Sequence, residues 1–425
     1  MRTEADTRPS VAEFVRAFAK IGLLSFGGPA AQIAVMQRVV IDERNWIGER
    51  DFLAALSFCM LLPGPEAMQL ATWLGWRMRG TLGGVVAGLL FVLPGAAVVL
   101  GLAVAYVHFG SVPEVATVFL GVKATVIAIV LSALIRLSRR TLAAPVLWCV
   151  AAATFVGMFA FALPFPLVIV LAALVGCFRP VASEAVPAHA QRRASVSGTV
   201  TTALLWLAVW WSPLLAVYAW HPSGVLWDVG RFFSQLAVLS FGGAYAVLSW
   251  LAQDAVLHHG WLTTAQMMDG LGLAETTPGP LILVTEFVGF LAGAQQGGTS
   301  LGVVAALVTL WATFAPCFLW IFVGAPWLGW LCAQPRLAGM LQTITAAVVG
   351  VMASLALWFA LNALFGTVRV VNRGWFELLV PATATLNLTA VVLTALALAL
   401  VFRLGWGTVR VLLTCGGVAW VFTLL

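Results

Sequence analysis

The tetrapeptide Ser25-Phe26-Gly27-Gly28 recurs in the second half of the chain as Ser240-Phe241-Gly242-Gly243, 215 residues later. A second motif follows each copy of the serine by 38 residues, as Pro63-Gly64-Pro65 and Pro278-Gly279-Pro280. Glycine pairs weaken a helix and proline ends or bends one, so both motifs predict interrupted helices. Two different interruptions that keep the same offset indicate an internal duplication.

Single residues around the motifs support the duplication. Four further pairs keep the offset of 215: Arg16 and Arg231, Phe18 and Phe233, Trp46 and Trp261, and Leu56 and Leu271. Beyond the middle of each half the offset becomes 222, which matches Pro94 with Pro316 and Pro113 with Pro335. The change of seven residues is what an ordinary loop insertion produces.

The composition is that of a membrane protein. Hydrophobic residues make up 62% of the chain and charged residues 9%, and the mean hydropathy is +1.03. Apolar runs of about 20 residues, enough to cross a bilayer, recur throughout. We therefore predict an all-α polytopic membrane protein with about 13 transmembrane segments. The predicted segments are 12–40, 52–76, 82–107, 115–135, 143–162, 164–178, 200–220, 229–257, 265–294, 299–325, 337–364, 378–402 and 408–425.

The segment count predicts two repeats of opposite orientation. Residues 1–178 form the first repeat, 179–228 a cytoplasmic loop and connector helix, and 229–425 the second repeat. Six segments return the chain to its starting side, and the single connector then inverts the second repeat. Most lysines and arginines fall on one side of this topology. The positive-inside rule then predicts a bacterial-type inner-membrane protein with a cytoplasmic N-terminus and a periplasmic C-terminus.

The interrupted helices predict a buried polar cavity. In hydrocarbon, backbone groups freed by a break are tolerated only where protein or a water-filled cavity covers them. Helices that restart after the breaks would direct their N-terminal N–H groups into this cavity, and such ends bind anions. The hydroxyls of Ser25, Ser240, Thr276 and Thr277 could also donate to an oxyanion. The alternative is that the glycines permit close helix packing and the prolines are structural kinks.

Ionisable residues within the predicted segments are further candidates. Lys123 lies well inside the fourth segment, where a charge is costly and commonly functional. It could be the counter-ion of an anionic substrate, or it could pair with a carboxylate or extend to the interface. Its repeat counterpart is Thr345.

Carboxylates near the Pro-Gly-Pro motifs are candidates for proton coupling. Glu66 follows the first motif directly, and Glu275 and Glu286 flank the second, with Asp269 in the same segment. The alternative for these residues is a helix N-terminal carboxylate bonded to backbone N–H groups. Gln69, one turn after Glu66, could bind a ligand or a neighbouring helix.

Two matched arginines are candidate gates. Arg16 and Arg231 each precede the serine of their repeat by nine residues. In an inverted pair of repeats they would approach the cavity from opposite faces and attract anions to each entrance. The alternative is that both residues anchor their helices at the membrane interface.

With these motifs the chain resembles the chromate ion transporter (CHR) family in its long, two-domain form. The residues that carry the resemblance are Phe18–Gly22, Ser25–Pro29, Leu62–Pro65 with Gln69, Gly83–Pro94, Phe232-Phe233, Ser240–Gly243 and Thr277–Pro280. The resemblance covers nearly the whole chain. It implies transport of chromate, a tetrahedral dianion similar to sulfate, by an efflux that confers resistance and uses the proton-motive force. Ala244 at the position of Pro29, and Leu281 at that of Glu66, depart from a strict repeat.

Together these observations predict a secondary active transporter that exports chromate across the inner membrane by alternating access. An importer of sulfate or another oxyanion on the same scaffold is the alternative. The predicted substrate-binding residues are Ser25, Phe26, Gly27, Gly28, Pro63, Gly64, Pro65, Gln69, Lys123, Ser240, Phe241, Gly242, Gly243, Thr277, Pro278, Gly279 and Pro280. The expected partners are a chromate or sulfate dianion, membrane lipid and protons as the coupling ion, and a homodimer is left open.

An enzyme or redox subunit within the membrane is disfavoured. All five histidines, His108, His189, His221, His258 and His259, fall at predicted segment ends or in loops, where they could not sandwich a haem. The six cysteines contain no CxxC pair and fit as small apolar side chains at helix interfaces. The sequence therefore predicts no metal, no cofactor, no nucleic-acid partner and no catalytic residue.

Overall fold

Helices make up most of the described chain. The computed structural model describes residues 9–110, 112–181, 195–241, 244–374 and 376–424. The α-helices are α1 (Val11–Leu24), α2 (Pro29–Gln37), α3 (Glu49–Leu61), α4 (Glu66–Phe109), α5 (Pro113–Thr141), α6 (Pro145–Phe161), α7 (Phe165–Cys177), α8 (Val196–Trp220), α9 (Val225–Leu239), α10 (Ala244–Gln253), α11 (Thr264–Thr276), α12 (Val284–Gly324), α13 (Leu328–Cys332), α14 (Pro335–Leu364), α15 (Leu388–Phe402) and α16 (Thr408–Leu424). Two π-helical turns, Arg38–Glu43 and Asp254–His258, continue α2 and α10.

The helices indicate a multi-pass membrane protein. Within the described ranges, the stretches long and apolar enough to cross a bilayer are Glu66–Phe109, Pro113–Thr141, Val196–Trp220, Leu281–Cys332 and Pro335–Leu364. Shorter apolar helices are Pro145–Phe161, Phe165–Cys177, Leu388–Phe402 and Thr408–Phe422. The total of about 13 segments and their alternating direction remain predictions.

The serine–glycine motif separates two helices in each half. Helix α1 ends at Leu24 and α2 begins at Pro29. Gly27 and Gly28 have φ values of +86° and +85°, which side-chain-bearing residues rarely adopt, so glycine is needed at both positions. Lys20 of α1 pairs with Glu43 at 2.8 Å and ties α1 to the end of this segment. In the second half α9 ends at Leu239 and α10 begins at Ala244, while Gly242 and Gly243 lie outside the described residues.

The Pro-Gly-Pro motif makes the second interruption of each half. Helix α3 ends at Leu61, and α4 begins at Glu66 after Gly64, whose φ is +123°. Helix α11 ends at Thr276, and Gly279 has a φ of +93°. A 3₁₀ turn, Leu281–Leu283, then leads into α12. The prolines remove backbone donors and the glycines supply the positive φ, so each motif interrupts the helix.

One predicted segment was wrong in its first part. The segment 378–402 is a helix only from Leu388, and it is preceded by a β-hairpin of β1 (Val368–Arg373) and β2 (Phe376–Pro381). The hairpin is a local exception to the predicted all-α architecture, because the described chain is otherwise mostly helical. The strand sequence Val-Arg-Val-Val-Asn-Arg is rich in β-branched residues, and Gly374 makes the turn with a φ of +64°. Its apolar content resembled the start of a span, although its periodicity is that of an exposed hairpin.

The first compact unit comprises Met1–Gly101, Val181–Ala244 and Thr277–Ala338, and it therefore takes segments from both predicted repeats. Its helices α8 and α9 pack against α12. Trp210 and Leu214 of α8 bury their side chains with Ala315 and Leu319 of α12. The indole N–H of Trp311 donates to the carbonyl of Trp210 at 3.0 Å, which ties the two helices together.

The second compact unit comprises Leu102–Pro180, Tyr245–Thr276 and Gly339–Leu425. Helix α5 is central to it and packs against α11, α15 and α16. A side chain on Gly121 of α5 would overlap the carbonyl of Cys415, so glycine permits the close approach of α5 and α16. The repeat boundaries at 178 and 229 remain predictions, because the compact units follow packing rather than chain order.

Candidate functional site

The two kinds of interruption are joined across the halves of the chain. Within the first unit, the Gly64 N–H donates to the carbonyl of Ser240 at 3.0 Å, and the Gly279 N–H donates to that of Ser25 at 2.8 Å. These two bonds are equivalent under the offset of 215 residues. Each serine follows the last residue of its helix, where carbonyls lack intrahelical donors. The Pro-Gly-Pro motif of one half therefore satisfies the helix end of the other.

This pairing corrects the predicted role of the Pro-Gly-Pro amides. Proline has no N–H, so each motif holds a single donor, at Gly64 or Gly279. Both donors are already used in the bonds to Ser240 and Ser25. The sequence reading assigned these amides to an anion, but the structure gives them to the opposite helix break. All six residues of Pro63–Pro65 and Pro278–Pro280 are buried.

Two glutamine side chains hold the Pro-Gly-Pro turns. The amide Nε2 of Gln69 donates to the carbonyl of Pro63, and that of Gln32 donates to the carbonyl of Gly279, each at 2.6 Å. Both glutamines are buried, and their Oε1 atoms have no partner within the described part of the chain. Gln69 was among the residues predicted from the sequence, and Gln32 was not. A polar glutamine four residues after Gly28, within an apolar stretch, could have indicated a role for Gln32.

The hydroxyl groups predicted to bind an oxyanion are bonded to their own helices. Ser25 Oγ donates to the carbonyl of Ile21 at 2.6 Å, and Ser240 Oγ donates to that of Ala237 at 2.9 Å. Thr276 Oγ1 donates to Leu273 at 2.8 Å, and Thr277 is buried next to it. Each hydroxyl that is bonded in this way would have to exchange a helix carbonyl for the anion in order to bind it.

Among the described parts of the interruptions, the N-terminus of α2 is the most open. Gly28 precedes Pro29 of its first turn, and the carbonyl of Gly28 accepts from the N–H of Gln32 at 3.1 Å. Phe26 and Gly27 are exposed, and no atom lies within 4 Å of the place where a side chain on Gly28 would begin. The first-turn amides of α2 have no intrahelical acceptor and carry the positive end of the helix dipole. This end of α2 can therefore receive an anion without displacing protein atoms.

Glu286 is a fully buried carboxylate near the second Pro-Gly-Pro motif. It lies in the first turn of α12, and neither of its oxygens has a hydrogen-bond partner among the described residues. A buried, unpaired carboxylate is very costly when charged, so a bound proton stabilises it. Glu66 begins α4, where a carboxylate is favoured by the helix dipole, and Glu275 is buried near the end of α11 in the second unit.

Lys123 has a carboxylate partner. In the second unit its Nζ lies 3.6 Å from Asp269 Oδ1, and Asp269 Oδ2 accepts from the Tyr106 hydroxyl at 2.9 Å. The sequence reading included pairing with a carboxylate as the alternative for Lys123, but it did not bring Tyr106 to this pair. Residue spacing could not show it, because the three side chains come from α4, α5 and α11.

The two candidate gate arginines are on the surface. Arg16 of α1 and Arg231 of α9 are both exposed. Their helices end at equivalent positions, and each helix runs directly into the serine of its break. A role in attracting anions remains a prediction.

The apolar spans and the doubled helix breaks are typical of a secondary transporter. A model of the family described as "Chromate transporter" matches residues 12–177 and 227–420, and the chain belongs to this family. No solved structure matches the chain.

Three relatives with similar coverage are named for chromate transport. The "Chromate transport protein" of Pseudomonas aeruginosa is 34% identical over 82% of this chain and 81% of its own. The "Probable chromate transport protein" of Synechococcus elongatus is 30% identical over 81% and 83% of the two chains. The "Chromate transport protein" of Cupriavidus metallidurans is 29% identical over 80% of each chain.

Proposed function

We propose that this protein is a secondary transporter that exports chromate across the bacterial inner membrane. The observation that carries the proposal is the family match over both halves, each of which contributes one serine–glycine break and one Pro-Gly-Pro break. Relatives of nearly the same length are named for chromate transport, which supports chromate as the substrate.

One position at which the anion would bind is the point where α2 restarts. The first-turn amides of α2 supply hydrogen-bond donors and a partial positive charge, and the open space at Gly28 admits a ligand. Ser25 would add its hydroxyl after releasing the carbonyl of Ile21. Binding by a few neutral donors suits a transporter, because the anion must be released on the other side. The second half would contribute its own site at the start of α10.

Alternating access would depend on the duplicated architecture. Helix α3 and helix α11 begin and end at positions 215 residues apart, as do the ends of α1 and α9. A single connecting helix, α8, would cross the membrane once between the two repeats and so invert the second repeat relative to the first. The bonds from Gly64 to Ser240 and from Gly279 to Ser25 would keep the two breaks in register while the repeats move.

Glu286 is the preferred residue for proton coupling. Its complete burial and its lack of a hydrogen-bond partner in the described chain favour the neutral form, and a conformation that exposes it would release the proton. Glu66 and Glu275 stay candidates for the same role.

Chromate accumulation in bacterial cells tests the proposal. Cells making the protein should accumulate less chromate than cells making the double variant Gly27→Leu with Gly28→Leu, because leucine cannot hold these backbone angles and the start of α2 would move. Gly101→Leu is the matched control, since Gly101 is exposed and no atom lies within 4 Å of a Cβ added there. Equal accumulation in all cells at equal protein abundance would refute export. The same cells can be given labelled chromate together with an excess of sulfate or of unlabelled chromate. If sulfate changed the accumulation of the label more strongly than unlabelled chromate did, the proposed substrate would be sulfate.

A further inference from the structure

Three polar side chains converge inside the second compact unit. Tyr106 belongs to α4, Lys123 to α5 and Asp269 to α11. The carboxylate of Asp269 lies between the other two, with the Tyr106 hydroxyl on Oδ2 and the Lys123 ammonium facing Oδ1. We call these three residues the Lys123–Asp269–Tyr106 cluster.

Packing fixes two of the three members. A side chain on Gly272 would overlap Val122, so this glycine brings α11 close to α5 and places Asp269, one turn earlier, beside Lys123. The ring of Tyr106 lies edge-on to Phe119, with ring centres 5.2 Å apart, and Phe119 is one turn before Lys123. Asp269 and Tyr106 are therefore held in place, whereas the long side chain of Lys123 keeps its freedom.

The cluster has no counterpart in the other half of the chain. The matched positions are Leu328 for Tyr106, Thr345 for Lys123 and Ala54 for Asp269. A buried ion pair gives little stability compared with apolar residues of similar volume. Because the other repeat folds without these residues, the scaffold does not require them, and their cost points to a function.

The ion pair is loose and can open from one side. The 3.6 Å between Lys123 Nζ and Asp269 Oδ1 exceeds hydrogen-bond length, and Oδ1 has no hydrogen-bond partner in the described ranges. The Lys123 side chain is 22% exposed and that of Asp269 only 5%. An incoming anion can therefore reach the ammonium, while the carboxylate cannot follow it.

The surroundings of Asp269 contain few groups that could replace Lys123. Among the described residues, the charged or titratable groups that act on Asp269 are Lys123 of α5 and Tyr106 of α4. Helix α16, which packs against both α5 and α11, contributes Cys415, which lies against Gly121. Glu275 is on α11 itself, six residues further on, which places it away from the face of Asp269.

We propose that the cluster is an anion-responsive proton switch, an inference that rests on the proposed transport of a tetrahedral dianion. The oxyanion binds the Lys123 ammonium and takes it from Asp269. Asp269 Oδ1 then accepts a proton from water, because a buried carboxylate without its counter-ion is unstable. Tyr106 keeps its hydrogen bond to Oδ2 and holds the protonated group in place.

The switch determines what crosses the membrane. The dianion would move together with the proton on Asp269, so that the transported complex carries a single net negative charge relative to the empty protein. An inside-negative membrane potential would still favour its outward movement. Release of the anion would return Lys123 to Asp269 and expel the proton on the same side.

Proton uptake during anion binding tests the switch without a transport assay. Purified full-length protein in a weakly buffered detergent solution is titrated with chromate at mildly alkaline pH, where chromate is a dianion. A pH indicator should report uptake of roughly one proton per bound dianion. Asp269→Asn should bind chromate as tightly as the wild type and take up no proton. Lys123→Met should lose about tenfold or more in affinity.

Further variants separate a switch from a structural ion pair. For a purely structural pair, the double variant Lys123→Met with Asp269→Asn would regain wild-type binding, and Asp269→Asn alone would be as impaired as Lys123→Met. Either result, or chromate binding by the wild type without proton uptake, overturns the switch but leaves the proposed function standing. Absence of any chromate binding by folded wild-type protein would overturn both. Thr345→Val, at the position matched to Lys123, is the control and should behave as wild type.

Discussion

Gly95→Ala should disturb a helix break in the opposite half of the chain. Gly95 lies in α4, and a methyl group added to it would overlap the carbonyl oxygen of Pro278. Either the methyl group is accommodated by strain, at about 1–3 kcal/mol, or Pro278 and Gly279 move away. Movement would break the bond from Gly279 to Ser25 and leave a buried carbonyl unsatisfied, at about 1–3 kcal/mol.

The matched control for this variant is Gly101→Ala in the same helix. No atom lies within 4 Å of a side chain added at Gly101. Its replacement by alanine should be neutral or should stabilise the helix by up to about 1 kcal/mol. Both changes gain the same helix propensity, so the two variants should differ by about 1–3 kcal/mol in unfolding free energy, although they make the same chemical change.

Thermal unfolding of the two purified variants, followed by size-exclusion chromatography after heating, measures this difference. Gly95→Ala should have an apparent melting temperature lower than that of Gly101→Ala by roughly 1–3 °C. It should also export chromate more slowly, because the Gly279–Ser25 contact holds the break. Equal melting temperatures and equal export would refute the reasoning that the Pro-Gly-Pro turn supports the opposite helix end.

Three further predictions test single parts of the account. Glu286→Gln should fold as well as the wild type, because the uncharged amide has nearly the same shape, but its chromate transport should depend less steeply on an imposed pH gradient, the remainder being due to Asp269; an unchanged dependence would exclude Glu286 from proton coupling. Gln32→Leu should lower the unfolding free energy by about 1–3 kcal/mol, since the carbonyl of Gly279 loses a buried donor, and a melting curve like that of the wild type would contradict this. A fluorescent protein fused to the cytoplasmic N-terminus should be fluorescent, and alkaline phosphatase fused to the periplasmic C-terminus should be active, as the inverted topology requires. Inactive phosphatase would contradict the prediction of an odd number of spans.

The helix interruptions could be predicted from the sequence because they depend on local chemistry. One helix of each half ends just before Ser25 or Ser240, and another helix begins after Pro65 or Pro280. Glycine and proline at these motifs prevent a continuous helix. The constant offset between the motifs, rather than any single motif, made this prediction specific. The family resemblance supplied chromate as the substrate, which neither composition nor spacing could provide.

The contacts between interruptions could not be predicted in the same way. The sequence predicted a polar cavity framed by the breaks, but it did not predict that Gly64 bonds to Ser240 and Gly279 to Ser25. Residue spacing describes one helix or turn at a time, and the choice of partner depends on tertiary packing. The partner of Lys123 depended on packing as well, because Asp269 and Tyr106 come from helices distant in the chain.

The β-hairpin shows a different limit of the sequence reading. Leu378 and Val380 lie on the same face of β2, but the apolar character of this strand joined it to α15 in the predicted segment 378–402. Hydropathy alone does not distinguish an apolar strand from the start of a span. Pro381, at the end of β2, was the local signal that a helix beginning at 378 could not continue through this position.

Transport of radioactive chromate by the purified protein in proteoliposomes tests the central claim most directly. With an imposed membrane potential, wild-type protein should move chromate faster than protein-free liposomes and faster than the Gly27→Leu, Gly28→Leu double variant, while Gly101→Leu should match the wild type. Unlabelled chromate should compete more strongly than sulfate. A wild-type rate equal to that of protein-free liposomes would contradict the account.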